Sequence, residues 1–230
     1  MRGDQLEQYR KERKRTQVEA ALGLGVSQTY LSLLEAGKRP LTEELQRKAA
    51  KFFRLSPTEL PTGLEFPKLR AVSDERLAAD LAALGYPGFA HLKRSPLKNP
   101  AVVLLSALNA EKRDARLVEA LLWLVSQFWD MEWKSLVKTA KAYDLQNRLG
   151  FVTNVARRVA ELKGEMGTAE KLEVHELELE QSLLVREETL CNETMTNVER
   201  NWLAVRRPKE AKRWHLLTDL APHNLDYDAW

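Results

Sequence analysis

The sequence predicts an all-α protein in two parts, a small N-terminal domain over residues 1–62 and a larger all-helical domain over 73–230. Three observations carry this. Apolar residues recur at helical spacing through most of the chain, while no stretch alternates as a half-buried strand does and β-branched residues are sparse. Helix-capping residues stand ahead of most of these periodic runs. Pro61, Gly63 and Pro67 interrupt the chain after the first part and mark 63–72 as a linker, whose Leu64, Phe66 and Leu69 suit packing better than free coil. A length of 230 residues suffices for a small domain and a larger one.

Within the first part, residues 16–38 have the layout of a helix-turn-helix. Thr16 is an N-cap for a helix over Gln17–Leu22, Gly23 and Gly25 bracket a tight turn, Ser27 caps a second helix to about Glu35, and Gly37 ends it. Ala21, Leu24, Val26, Leu31 and Leu34 are spaced to meet in a small core, which leaves Gln28, Thr29, Ser32 and Leu33 facing away. Short residues on the exposed first turns of a second helix suit insertion into a major groove. A glutamine there presents a coplanar donor and acceptor to adenine, and Thr29 and Leu33 place apolar groups beside a thymine methyl. Lys38 and Arg39 follow the helix within reach of phosphates, which position a protein without reading sequence.

Arg10, Thr16-Gln17, Ala21, Gly25-Val26-Ser27, Leu31, Leu34-Glu35 and Gly37-Lys38 together carry a family resemblance. Over about residues 4–60 the chain resembles the Cro/CI-type (Xre) helix-turn-helix regulators. The resemblance implies a five-helix, lambda-repressor-like domain, with helices placed here at Leu6–Arg13, Gln17–Leu22, Gln28–Glu35, Thr42–Phe53 and Pro57–Leu60. It implies that Gln17 donates to a DNA phosphate, that Gln28, Thr29 and Ser32 look at base edges, and that Arg10 and Glu35 form an internal ion pair. Thr16, Ser27 and Tyr30 are placed with Gln17, Lys38 and Arg39 on the phosphate side; for Tyr30 the alternative is packing on the neighbouring helix. Ala20 is smaller than the residue usual in this family, and Tyr30 is bulky for its place.

Charge divides with the domains. Residues 1–60 hold 12 lysines and arginines against 8 aspartates and glutamates, the rest of the chain 24 against 25, so the overall +3 splits into +4 and −1. The run Arg10-Lys11-Glu12-Arg13-Lys14-Arg15 concentrates the positive part and is expected to face phosphates, giving salt-sensitive binding. The charged N-terminus lacks the apolar core of a signal peptide, no apolar run approaches a membrane span, and the single cysteine, Cys191, excludes an intrachain disulfide. A cytoplasmic protein is expected.

In the second part Ser73 caps a helix through about Leu84, after which Gly85-Tyr86-Pro87-Gly88 breaks the chain. Asn99-Pro100 opens a helix through Leu108. Helices at Arg116–Phe128, Trp133–Tyr143 and Leu145–Lys163 follow from their apolar spacing. Packed helical hairpins are the expected architecture; a short solenoid is one arrangement of them, for which the chain shows no exact sequence repeat. Thr168 is read as the N-cap of a long acidic helix reaching Thr189 or Met195. Leu172, Leu179, Leu183 and Leu190 near heptad spacing fit either a dimerisation helix or a helix packed on its own domain with a solvated acidic face. From Thr196 onward Trp202, Trp214, Tyr227 and Trp230 interleave with basic residues, and Thr218 onward is read as irregular. This tail fits stacking on single-stranded nucleic acid, or tryptophans that anchor the tail to the helical domain.

Little in the chain points to catalysis. His175-Glu176 begins an HExxH pattern that Leu179 does not complete, Cys191 has no cysteine partner for zinc, and no phosphate loop occurs. No cofactor, metal or enzymatic activity is expected. The expected function is a sequence-specific DNA-binding transcriptional regulator, a repressor binding a palindromic operator in duplex DNA as a homodimer. The alternative is an antitoxin or phage-defence regulator whose helical domain holds a protein partner encoded nearby. An enzyme with a DNA-binding appendage is a third reading.

Overall fold

Thr16, Ser27, Thr42, Ser73, Asn99, Asp114 and Thr196 all stand in extended backbone one residue ahead of a helix. Each accepts a backbone N–H from the first turn through its side chain, satisfying a donor that the helix leaves open. The computed structural model describes residues 1–62, 69–93 and 95–225. Gly63, Leu64, Phe66, Pro67, Tyr227 and Trp230, singled out above, lie outside the described residues. Helix makes up 62% of the structure, which is all-α. The chain divides into two compact units, Met1–Gly63 and Leu64–Trp230.

The first unit contains α1 (Gly3–Glu12), α2 (Gln17–Leu24), α3 (Gln28–Glu35), α4 (Glu43–Phe52) and a 3-10 turn at Pro57–Glu59. Its core gathers Leu6, Ala20, Ala21, Leu24, Leu31, Leu34, Ala49, Phe53 and Leu55, with Val26 and Tyr30 packed against it half-buried. Three boundaries differ from expectation. The first helix starts at Gly3, and α2 continues to Leu24, so Gly23 lies inside it. The fifth element is a 3-10 turn, capped by Ser56 and Glu59 and too short for an α-turn to close. Gly25 alone makes the tight turn. At φ +71° it occupies the left-handed region, while Val26 N–H reaches Ala21 O at 2.9 Å and Gly25 N–H reaches Leu22 O at 3.1 Å.

The second unit contains α5 (Asp74–Leu84), α6 (Pro100–Leu108), α7 (Ala115–Gln127), α8 (Trp133–Ala142), α9 (Gln146–Leu162), α10 (Met166–Glu180), β1 (Glu188–Thr189), α11 (Asn197–Arg206), α12 (Lys209–Arg213) and β2 (Leu216–Leu217), with 3-10 turns at Pro87–Phe89 and Pro222–Asn224. Leu69 and Val72, in the expected linker, pack on its core. At the centre runs α9, with 14 of its 17 residues buried, as befits a helix enclosed on all sides. It touches α6, α7, α8, α10, α12 and β2. That is no solenoid, in which each repeat meets only its neighbours: that arrangement fails because one helix serves as the common partner of the others.

Polar residues on α9 are tied to its surroundings. Asn154 and Arg157 donate to the two carboxylate oxygens of Glu176 on α10 at 2.8 and 2.7 Å, and Arg213 reaches Glu176 and Glu180 at 2.9 and 2.7 Å. Arg148 donates to Leu108 O at 2.9 Å and pairs with Glu193 at 2.5 Å.

The long acidic helix is a correction. It begins at Met166, so Thr168 is inside its first turn, and it ends at Glu180. Beyond it the Asn147 side chain donates to Leu184 O at 2.9 Å and accepts from Leu184 N–H at 2.8 Å. Those bonds replace the ones that helix continuation would have made. Leu172, Leu179 and Leu190 are buried in their own unit and Leu183 packs against it, so the heptad seam has no free face. A second correction is the short parallel pair of β1 with β2, Glu188 beside Leu216 and Thr189 beside Leu217. In the tail Trp214 is wholly buried, whereas Trp202 is half exposed. The anchoring role holds for Trp214; two helices, α11 and α12, precede Thr218, and among the described residues beyond it the chain is irregular apart from the 3-10 turn at Pro222–Asn224.

Cys191 lies within the core, and burial pushes its thiol up to about 11. A thiol is nucleophilic as the thiolate. The folded protein at pH near 8 should therefore consume no iodoacetamide while the urea-unfolded chain is fully alkylated; equal rates in the two states, read by mass spectrometry, would contradict the burial. Among the described residues, no helix is long and apolar enough to cross a membrane.

Candidate nucleic-acid interface

The site is built from α2, the Gly25 turn and α3. Alternation of buried and exposed positions along α3 orients it: Leu31, Leu34 and Glu35 are buried, Gln28, Thr29 and Ser32 are exposed, and Leu33 is half-buried. Ser27 Oγ accepts the Tyr30 N–H at 3.1 Å; the hydroxyl proton has no partner among the described residues. Tyr30 leans on the core of its own unit with part of its ring exposed.

Glu35 is the hub of this arrangement. Arg10 from α1 donates to both carboxylate oxygens, Nε to Oε1 at 2.6 Å and an Nη to Oε2 at 2.9 Å. Gln17 Nε2, at the start of α2, donates to Oε2 at 2.8 Å. Arg10 also holds Arg15 O at 3.2 Å. One buried carboxylate thus fixes α1, α2 and α3 together. The bidentate geometry suits a guanidinium, and hydrogen bonding to Glu35 raises Arg10 further into its charged form against the pull of burial. A primary amide has two hydrogens, so Gln17 keeps one for a ligand.

At the N-terminus of α2, Thr16 Oγ1 accepts from Glu19 N–H and donates to Glu19 Oε2, both at 3.1 Å, while Thr16 N–H donates to the same carboxylate at 2.8 Å. These bonds from the Thr16 backbone and side chain lower the Glu19 carboxyl below its ordinary value. The Thr16 hydroxyl is thereby occupied as a cap. After α3, the N–H groups of Lys38 and Arg39 both bond Leu33 O, at 2.9 and 3.2 Å. Both side chains are exposed and have no ion-pair partner among the described residues.

The basic run does not act as one surface. Of its five cations, Arg10 is buried on Glu35, Arg13 donates to Phe53 O at 2.7 Å and pairs with Glu59 at 3.0 Å, and Lys11 pairs with Glu7 at 2.8 Å. Lys14 and Arg15 are the exposed remainder. The Glu35–Gln17 bond escaped the sequence reading, since nothing local couples residues 18 apart. Elsewhere, His175 stacks on Trp133 at 4.2 Å, and burial lowers its imidazole below the ordinary value. No group of three or more His, Cys, Asp or Glu side chains is placed to hold a metal ion among the described residues.

Residues 6–60 match the family model of the helix-turn-helix domain. No curated protein and no solved structure matches the chain.

Proposed function

We propose, from a Cro/CI-type helix-turn-helix domain at residues 6–60, that the protein is a transcriptional repressor that binds a palindromic operator as a homodimer and controls its own operon. The observation that supports it best is α3 itself, pinned through Glu35 to two other helices while Gln28, Thr29 and Ser32 stay exposed along one side. In this reading Gln28, Thr29, Ser32 and Leu33 meet base edges, and Gln17, Ser27, Tyr30, Lys38 and Arg39 meet phosphates, while Thr16, whose N–H and hydroxyl both go to Glu19, serves as the cap of α2. The two half-sites would lie about 34 Å apart, one helical turn of duplex. The helical unit supplies dimer contacts or a regulatory surface, and no catalytic step is assigned to it.

Selection of bound fragments from sheared genomic DNA tests this. One palindromic site near the protein's own gene should be enriched. Gln28→Ala should weaken that site by about 1–3 kcal/mol and spare non-specific binding. Equal loss on all sequences would show that Gln28 does not read bases.

One observation favours a second reading, that of an antitoxin or phage-defence regulator. Val198, Trp202 and Val205 form an exposed stripe on α11, 80, 50 and 86% accessible, at the spacing by which one helix face meets a protein partner. Copurification of a neighbouring gene product, abolished by Trp202→Glu, would favour it over simple repression.

A further inference from the structure

The first unit has a second basic feature, lined by none of the residues of α2, α3 and the following turn to which base or phosphate contacts are assigned above. A cavity of about 740 Å³ is walled by Arg13, Arg15, Lys48, Lys51 and Arg54, with the Phe52 ring between them. No carboxylate lines it. Arg13 is engaged by Glu59 and Glu12 at 3.0 and 3.1 Å, and Lys48 by the exposed Glu44 at 2.9 Å. Arg15 stands 3.8 Å from Glu19. Lys51 and Arg54 have no ion-pair partner among the described residues. Complementing the C-terminal dipole of α4 would account for one cation in its last turn, and Lys51 holds that place; it does not account for Arg54 beside it, and the charge these two add to a wall without carboxylates is one that an anion in the cavity would offset.

The aromatic wall is also specific. Phe52 is half-buried, edge-on to Phe53 at 4.9 Å between centroids. Its ring lies so close to α2 that a Cβ on Gly23 would stand 2.0 Å from it. Cations beside an aromatic ring suit a phosphate joined to a base. The volume falls in the roughly 300–1,000 Å³ range of small-molecule sites and far exceeds what inorganic phosphate fills.

We propose that this cavity binds a phosphate-bearing ligand of nucleotide size, at a site separate from the duplex-reading face of α3. The phosphate comes from a free nucleotide or from a nucleic-acid backbone. The inference does not depend on base reading by Gln28, and the experiment keeps the two apart.

The test is titration calorimetry of the full chain with ATP, with adenosine as the phosphate-free control, and with a random-sequence duplex. The variants are Lys51→Gln/Arg54→Gln, both at exposed positions, and Gln28→Ala. With a free nucleotide as the source, ATP binds the wild type and Gln28→Ala equally and adenosine does not bind. The double variant is then weaker by at least about tenfold, as expected for losing charge-assisted contacts. With a backbone as the source, ATP does not bind, and the double variant loses random-duplex affinity by a similar factor. Unchanged affinity of the double variant for both probes would overturn the proposal, as would binding of adenosine as tight as that of ATP. Loss of operator preference in Gln28→Ala alone concerns the α3 reading and leaves this site standing.

Discussion

Glu35→Ala should unfold the first unit. The substitution strands Arg10, itself buried, without the carboxylate that holds it at 2.6 and 2.9 Å, and frees Gln17 as well. Breaking a buried pair by removing one partner costs about 3–5 kcal/mol. A domain of this size has roughly that much stability in total, so the loss is decisive. All six tryptophans lie beyond residue 122, so their fluorescence reports only on the second unit. The expected result is a loss of far-UV circular dichroism and of binding to every DNA sequence, with the tryptophan melting curve unchanged. Arg10→Met/Glu35→Leu, which removes both charges, should recover most of the stability, because the cost lies in the unpaired charge. If the double variant were as unstable as Glu35→Ala, the helices would be held by the geometry of the pair itself.

Trp214→Ala should be the most damaging single truncation in the second unit. The indole is wholly buried, and its ring lies against the backbone of α9 at Gly150, where an added Cβ would stand 2.0 Å from it. Truncating a buried tryptophan costs about 3–5 kcal/mol, as lost transfer energy and a residual cavity. Urea denaturation followed by far-UV circular dichroism should show the midpoint falling with little change in slope. Trp214→Phe is the informative control. The indole Nε1 has no hydrogen-bond partner among the described residues, so phenylalanine keeps most of the contact and removes an unsatisfied donor. It should cost less than about half as much as alanine. Equal losses would mean that the indole makes a polar contact on which packing depends.

What the sequence made legible was local. The caps at Thr16, Ser27, Ser73 and Asn99 were readable because the group they satisfy lies two or three residues away. The buried and exposed sides of α3 followed from spacing alone. Distant partners decided what was not legible. The leucine spacing after Glu180 continued a helical period, but Asn147, 37 residues earlier, took the backbone of Leu184. The basic run looked like one surface because Glu35 and Glu59, 25 and 46 residues from their arginines, are invisible in its neighbourhood. The cavity of Arg15, Lys48, Lys51 and Arg54 is likewise a product of folding, since Arg15 from the α1–α2 connection is brought beside the cations of α4 and its C-terminal end, more than 30 residues later.

Pairing of β1 with β2 bears on how the molecule can evolve. The strands run parallel, so no hairpin joins them, and the chain between, with α11 and α12, leaves and returns at one place. Leu190 and Cys191 at one root and Trp214 at the other are buried. Between those roots the outer face of α11, with Val198, Trp202 and Val205, adds nothing to the core. Substitutions there are nearly free of folding cost. This excursion is the part of the helical unit where a lineage can change what it recognises while inheriting the rest of the fold intact.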